Sequence, residues 1–224
     1  MALYVIATPI GNADDISLRG LQWLKKAAII ILEERKESTR FLRQHGITSA
    51  DKLYEQLNEH SSPEDIRRLS DLCAKHDVAL ITDCGTPGFA DPGADLVFQC
   101  RQKKTPIHAI PGPSALMTLL SLSGERLSEF VFRGFLSAET LERQKQWRAL
   151  QSEKRALILM DTPYRMQKTA TEVQNFFPKR RLLWAADLTQ DSEFIIETTG
   201  ENLMRELEKH PAKAEFMLLL YPIK

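Results

Sequence analysis

Cysteine is scarce in this sequence: Cys73, Cys84 and Cys100 are the only three among 224 residues. So small and odd a number excludes the disulfide framework of a secreted domain, and the three read as small buried residues. No two of them stand at metal-ligand spacing, and the five histidines are scattered, so no metal site is expected. Net charge is also absent, with thirty Lys plus Arg against thirty Asp plus Glu. That balance excludes affinity resting on a global basic field but allows a local phosphate-binding patch. Long apolar runs are missing too. Residues 27–32 and 216–221 are the longest, far short of the roughly 20 needed to span a bilayer. The start, Met1-Ala2-Leu3-Tyr4-Val5, lacks the basic stretch of a signal peptide. The expectation is a soluble, cytoplasmic protein with no membrane partner.

What is present is alternation. Short apolar runs at 2–8, 29–33, 78–82 and 106–110 read as buried strands. Between them, helices are predicted over 17–28, 38–45, 62–76 and around 94–102. Ser17 caps the first, Gly46 stops the second, and Ser62-Pro63-Glu64-Asp65 opens the third with a cap, a first-turn proline and a capping-box acid. The second half predicts strands over 130–135, 156–160, 181–187, 194–198 and 215–221. Helices fall over 140–151, 163–177 and 200–210, and 181–187 lies near enough to 194–198 for an antiparallel pair. Pro111-Gly112-Pro113 is the stiffest breaker. The predicted fold is α/β with two α/β domains, 1–112 and 113–224, the first mostly parallel and the second mixed.

Three turn-rich segments follow predicted strands: Ala7-Thr8-Pro9-Ile10-Gly11-Asn12, the stretch from Thr82 to Gly93, and Ile110-Pro111-Gly112-Pro113-Ser114-Ala115. Ligands of open α/β sheets bind beyond the carboxyl ends of strands, where such loops gather. Yet neither G-x-G-x-x-G nor G-x-x-x-x-G-K occurs. A nucleotide-like ligand with few or no phosphates fits better than a dinucleotide or a triphosphate.

These segments carry a resemblance. A-T-P-I-G-N at 7–12, D-x-G-T-P-x-x-x-D-P-G at 83–93 and P-G-P-S-A at 111–115 resemble the tetrapyrrole methylase superfamily of S-adenosylmethionine-dependent methyltransferases. Within it the chain is most similar to the 16S ribosomal RNA (cytidine-2′-O-)-methyltransferase branch. Gly134-Phe135-Leu136 and Asp161-Thr162-Pro163-Tyr164-Arg165, which resembles a family E-S-P-H-R, extend the match across the whole chain in order.

The resemblance implies S-adenosylmethionine as cofactor, held in a cleft between the two domains, and a homodimer acting on ribosomal RNA. It assigns Pro9, Thr86, Phe89, Ala90, Ser114 and Ala115 to cofactor contact, with Asp83 bracing the second loop. Met160 and Ala186 look like pocket wall contributed by the second domain. Methyl transfer from a sulfonium needs alignment more than covalent help, but a ribose hydroxyl is a poor nucleophile and gains from a base. Glu34, in a segment that resembles a family A-E-D-T-R, is the first candidate base, set against a plain solvated charge cluster. Arg165 is the candidate partner either for substrate phosphate or for Asp161.

The sequence also departs from the branch. A-E-D-T-R is replaced by Leu32-Glu33-Glu34-Arg35-Lys36, H-R by Tyr164-Arg165, and L-T-K by Leu188-Thr189-Gln190. The small C-terminal extension usual in the ribosomal enzymes is not present in this sequence. Two further readings therefore stand beside RNA methylation: methylation of a small tetrapyrrole-like molecule, and a cofactor-binding module with little catalysis. RNA would need a basic patch, for which the candidates are Arg101/Lys103/Lys104, Arg143/Lys145/Arg148, Lys154/Arg155 and Lys179/Arg180/Arg181. Each of these also reads as an ordinary solvated helix face or loop.

Overall fold

The backbone follows the predicted alternation closely. A computed structural model describes residues 1–48 and 52–223. The chain divides into two compact units, Met1–Ser114 and Ala115–Lys224.

The first unit is built on a sheet of β1 (Ala2–Ile6), β2 (Ile29–Leu32), β3 (Leu53–Gln56), β4 (Asp77–Leu80) and β5 (Ile107–Ile110). The strand order is β3-β2-β4-β1-β5, and every pairing is parallel. The run Ile29-Ile30-Ile31-Leu32 is buried at every position, as a strand covered on both faces must be. Ile30 and Leu32 join a cluster with Leu24 and Leu42 on one face, while Ile29 and Ile31 join Leu69, Leu80 and Leu96 on the other.

The helices covering those faces are α1 (Leu18–Lys26), α2 (Arg35–Gln44), α3 (Pro63–Lys75) and α4 (Ala94–Gln102). Ser17 Oγ caps α1 by accepting the Gly20 N–H at 3.0 Å. Ser62 and Asp65 form the reciprocal capping box of α3, worth about 1 kcal/mol for the cap alone. Two elements differ from expectation. Helix α2 starts at Arg35 rather than Ser38, because the Glu34 side chain caps it. Strand β3 was not expected, since Leu53-Tyr54-Glu55-Gln56 is a short, mixed edge segment with no fully buried residue.

The second unit holds β6 (Phe130–Gly134), β7 (Ala156–Asp161), β8 (Arg181–Ala186), β9 (Phe194–Thr199) and β10 (Phe216–Leu220), in the order β6-β7-β10-β8-β9. Only β6 and β7 run parallel; β10 is antiparallel to β7 and β8, and β8 to β9. Helices α5 (Ala115–Leu122), α6 (Thr140–Leu150), α7 (Met166–Phe176) and α8 (Gly200–Leu207) complete it. Trp147 and Trp184 are wholly buried in its core, which accords with packing rather than base stacking. Among the described residues no helix is long and apolar enough to cross a membrane.

Candidate active site

Three neighbouring strands, β4, β1 and β5, end side by side, and their following loops are tied together by hydrogen bonds. The Thr8 N–H donates to the Gly85 carbonyl at 2.8 Å and the Gly85 N–H donates back at 3.1 Å. Thr8 Oγ1 donates to the Thr82 carbonyl at 3.0 Å, deep in the fold. The Ala7 N–H reaches the Ile110 carbonyl at 3.2 Å, and Thr86 Oγ1 donates to the Pro113 carbonyl at 3.4 Å. All three turn-rich segments therefore share one sheet edge.

Close approach explains two of the glycines. A Cβ on Gly112 would lie 3.2 Å from Ala7 Cβ and 3.3 Å from its carbonyl oxygen, so the Pro-Gly-Pro turn rests directly on the first loop. Gly93 takes φ +130°, and its Cβ would meet Leu80 Cδ2 at 3.1 Å. Ala90 itself sits at φ 62°, a left-handed backbone rarely adopted by a residue with a side chain.

The residues singled out from sequence distribute as follows. Pro9 is buried in the first loop, and Thr86, Phe89 and Ala90 lie exposed on the second. Phe89 keeps 45% of its surface open, unusual for a phenylalanine on a hydrogen-bonded rim. Ser114 closes the first unit, and Ala115 opens α5 in the second. Met160 is half-buried near the end of β7, whereas Ala186 is wholly buried at the end of β8 within the sheet's core. Asp83 reaches across to a neighbouring turn. Its Oδ1 accepts the Glu34 N–H at 3.3 Å and the Ser38 hydroxyl at 3.1 Å, bracing the start of α2 against the second loop.

Carboxylates crowd the adjacent strand ends. Glu33, Glu34, Asp83 and Asp91 line a cavity of about 570 Å³ in the first unit. Glu33 Oε2 accepts the Asp83 N–H at 3.3 Å. Burial pushes Asp91 up to about 7, with the negative charges of Glu33 and Asp83 adding to it. Burial likewise raises Glu33 and Asp83. Glu34 remains exposed, its Oε1 accepting the Lys36 N–H at 3.4 Å. Asp91 and Glu33 were not singled out from sequence. Both lie inside motifs quoted for other residues, and burial is the property that distinguishes them.

In the second unit, Arg165 Nη1 lies 3.4 Å from Asp161 Oδ1. Asp161 is itself held from behind by Arg143, which is buried and sits 2.8 Å from both Asp161 Oδ2 and Glu172 Oε2. Thr169 and Trp147 complete the network. Arg143 is thus no member of a solvated basic face. The same correction applies to Arg180, whose guanidinium donates to the carbonyls of Tyr221, Glu153 and Arg155. Arg181 pairs with Glu125 and Glu197.

The rim supplies hydroxyls at Thr86 and Ser114, exposed apolar surface at Phe89 and Ala90, and neighbouring carboxylates, with no phosphate-cradling loop. This donor set suits a cationic adenosyl sulfonium and opposes a polyphosphate. The family model for Tetrapyrrole (Corrin/Porphyrin) Methylases matches residues 2–204. The chain belongs to the tetrapyrrole methylases. As a member, it is an S-adenosylmethionine-dependent methyltransferase.

This tetrapyrrole methylase is 34% identical over 219 residues to the ribosomal RNA small subunit methyltransferase I of Synechocystis sp., covering 97% of this chain and 78% of that protein. It is 37% identical over 194 residues to the protein of the same name from Pseudomonas aeruginosa, covering 86% of this chain and 68% of that one. Its fold matches the crystal structure of uroporphyrin-III C-methyltransferase from Thermus thermophilus complexed with S-adenosylhomocysteine, with TM-score 0.65 and 17% identity over 99% of this chain and 97% of that one. The predicted pair of α/β domains, one parallel and one mixed, is the architecture of this family.

Proposed function

We propose that this tetrapyrrole methylase methylates a ribose 2′-oxygen of small-subunit ribosomal RNA, working as a homodimer in the cytoplasm. The observation that carries the reading is the 34% identity over 97% of the chain to a protein named for ribosomal RNA methylation. The tetrapyrrole enzyme compared above reaches only 17%.

S-adenosylmethionine, when bound, supplies an activated methyl group on a sulfonium, so no covalent intermediate with the protein is required. The chain's own work is to bind, orient and manage a proton. Thr86 and Ser114 offer hydroxyls to the ribose and amino-acid end of the cofactor, while Pro9, Phe89 and Ala90 supply weakly polar wall. Ala115, Met160 and Ala186 are assigned to the same ligand on the resemblance. Asp83 accepts the Glu34 N–H and so fixes the backbone from which the Glu34 carboxylate projects at the N-cap of α2. Glu34, exposed at the start of α2, takes the proton from the ribose hydroxyl. Asp91 stands as a second acceptor, since its elevated value near 7 matches the operating pH. Arg165 gives one N–H to Asp161 and keeps the others for a substrate phosphate.

The test is transfer of labelled methyl from S-adenosylmethionine to small ribosomal subunits of a strain lacking the gene, with a tetrapyrrole arm run alongside. A single new alkali-resistant linkage in the ribosomal RNA supports the reading. Label entering the tetrapyrrole, or neither acceptor, overturns it.

A further inference from the structure

We propose that Arg35, Thr39, Arg43 and Tyr54 form a seat for one backbone phosphate of the RNA substrate, an inference that rests on RNA being the methyl acceptor. Residues 35, 39 and 43 recur every fourth position along α2 and so share one face of that helix. Tyr54 comes from β3, where it pairs with Ile30 of β2 and packs against the same apolar cluster as Leu42 and Ile47. These four residues and Ile47 line a cavity of about 100 Å³. Ile47 is buried and gives the cavity an apolar floor.

The charge of this cavity is unspent. Among the described residues neither Arg35 nor Arg43 pairs with a carboxylate, although Arg40 on the same helix pairs with Glu37 at 3.0 Å. Both guanidiniums act on the Tyr54 phenol: burial raises it, and the positive charges of Arg43 and Arg35 pull it back down. Two planar forks and a phenol hydroxyl around one small hollow match the oxygens of a tetrahedral phosphate. Arg35 also occupies the first turn of α2, where the helix dipole opposes a cation and favours an anion. A bound phosphate relieves that conflict.

Within the other basic runs, four cations are already engaged. Arg143 is buried on Asp161 and Glu172, Arg180 on three carbonyls, Arg181 on Glu125, and Lys103 on Asp71 at 2.7 Å. The seat is also continuous with the chemistry proposed above, because Arg35 directly follows Glu34. A strand held by its phosphate at Arg35 presents the neighbouring ribose toward that carboxylate edge.

The experiment compares wild type with Arg43→Gln, the Arg35→Gln/Arg43→Gln pair and Arg43→Lys, using unmodified small-subunit ribosomal RNA as probe. Binding is followed by anisotropy across a salt series, S-adenosylmethionine binding by calorimetry and fold by thermal unfolding. The paired variant is expected to lose about 0.7 from the slope of log affinity against log salt, and about tenfold in RNA affinity. Cofactor affinity and unfolding midpoint stay at wild-type values. Arg43→Lys is expected to keep the slope while recovering only part of the affinity, since it keeps the charge but not the fork.

An unchanged slope and affinity in the paired variant, with wild type still methylating RNA, overturns the seat alone. Loss of the midpoint or of cofactor binding in parallel overturns it as well, because the residues are then structural. Stabilisation by inorganic phosphate that is lost in the variants, without any change in RNA binding, assigns the cavity to a free oxyanion instead. Failure of wild type to methylate RNA removes both the seat and the reading beneath it.

Discussion

Thr8 and Gly85 exchange two backbone hydrogen bonds, 2.8 and 3.1 Å long, across the ends of β1 and β4. This one bridge holds the first and second loops edge to edge, and Thr86 extends the tie to the third through Pro113. The rim is preorganised by backbone contacts, so its shape depends on how closely the chain segments approach.

Gly112→Ala tests that dependence. The added methyl meets Ala7 at 3.2–3.3 Å on both its side chain and its carbonyl. Overpacking of this kind costs about 1–3 kcal/mol. Weaker S-adenosylmethionine binding by calorimetry is expected along with a lower denaturation midpoint. An alanine variant that binds cofactor as tightly as wild type shows that the third loop does not need the first for its geometry.

Two arginines reach the same carboxylate from different environments, and their removal separates the cases. Arg143 is buried between Asp161 and Glu172, so Arg143→Met leaves both acids short of a partner and costs about 3–5 kcal/mol. Arg165 is one-third exposed and 3.4 Å from Asp161, so Arg165→Met costs roughly 0–1 kcal/mol. Urea unfolding followed by circular dichroism reads both. Equal losses in the two variants overturn the ranking.

Much of this architecture was legible before any coordinates. The short, isoleucine-rich run at 29–32 favours a strand buried on both faces, and Ser62-Pro63-Glu64-Asp65 specifies a helix start through its own side chains. The three loops could be read as one rim because each follows a strand of a parallel sheet. The illegible features depend on tertiary surroundings. Leu53-Tyr54-Glu55-Gln56 becomes a strand because β2 offers it an edge. Arg143 and Arg180 look like surface cations until their buried acceptors are seen, and Asp91 differs from Asp83 in being desolvated without the hydrogen bonds from Glu34 and Ser38 that Asp83 accepts.

Asp91 makes stability depend on pH in a defined direction. Its carboxyl rises from 3.8 to about 7 on folding, so over that interval the native chain holds a proton that the unfolded chain has released. Stability from this group is complete below about 4 and lost as pH rises through about 7, because the native state binds more protons. Glu33 and Asp83, both raised, act in the same sense. Asp91→Asn removes the ionisation, so the variant gains on wild type as pH rises and the gain levels off above about 7. Urea midpoints across a pH series check this, and a variant that tracks wild type at every pH shows that Asp91 titrates like a free carboxyl.

Glu34 has two separable duties, and amide substitution divides them. As the cap of α2 it needs only an acceptor oxygen for the Lys36 N–H, which glutamine also provides. As a base it needs the negative charge. Glu34→Gln is therefore expected to leave the unfolding midpoint and cofactor affinity intact while lowering kcat by about 10²–10⁴. The residual rate should also lose part of the wild-type pH dependence. Glu33→Gln is the internal comparison, because its carboxyl faces the Asp83 backbone and is half-desolvated. A full kcat in Glu34→Gln together with a collapsed one in Glu33→Gln or Asp91→Asn moves the proton acceptor to that desolvated carboxyl and leaves Glu34 as a helix cap.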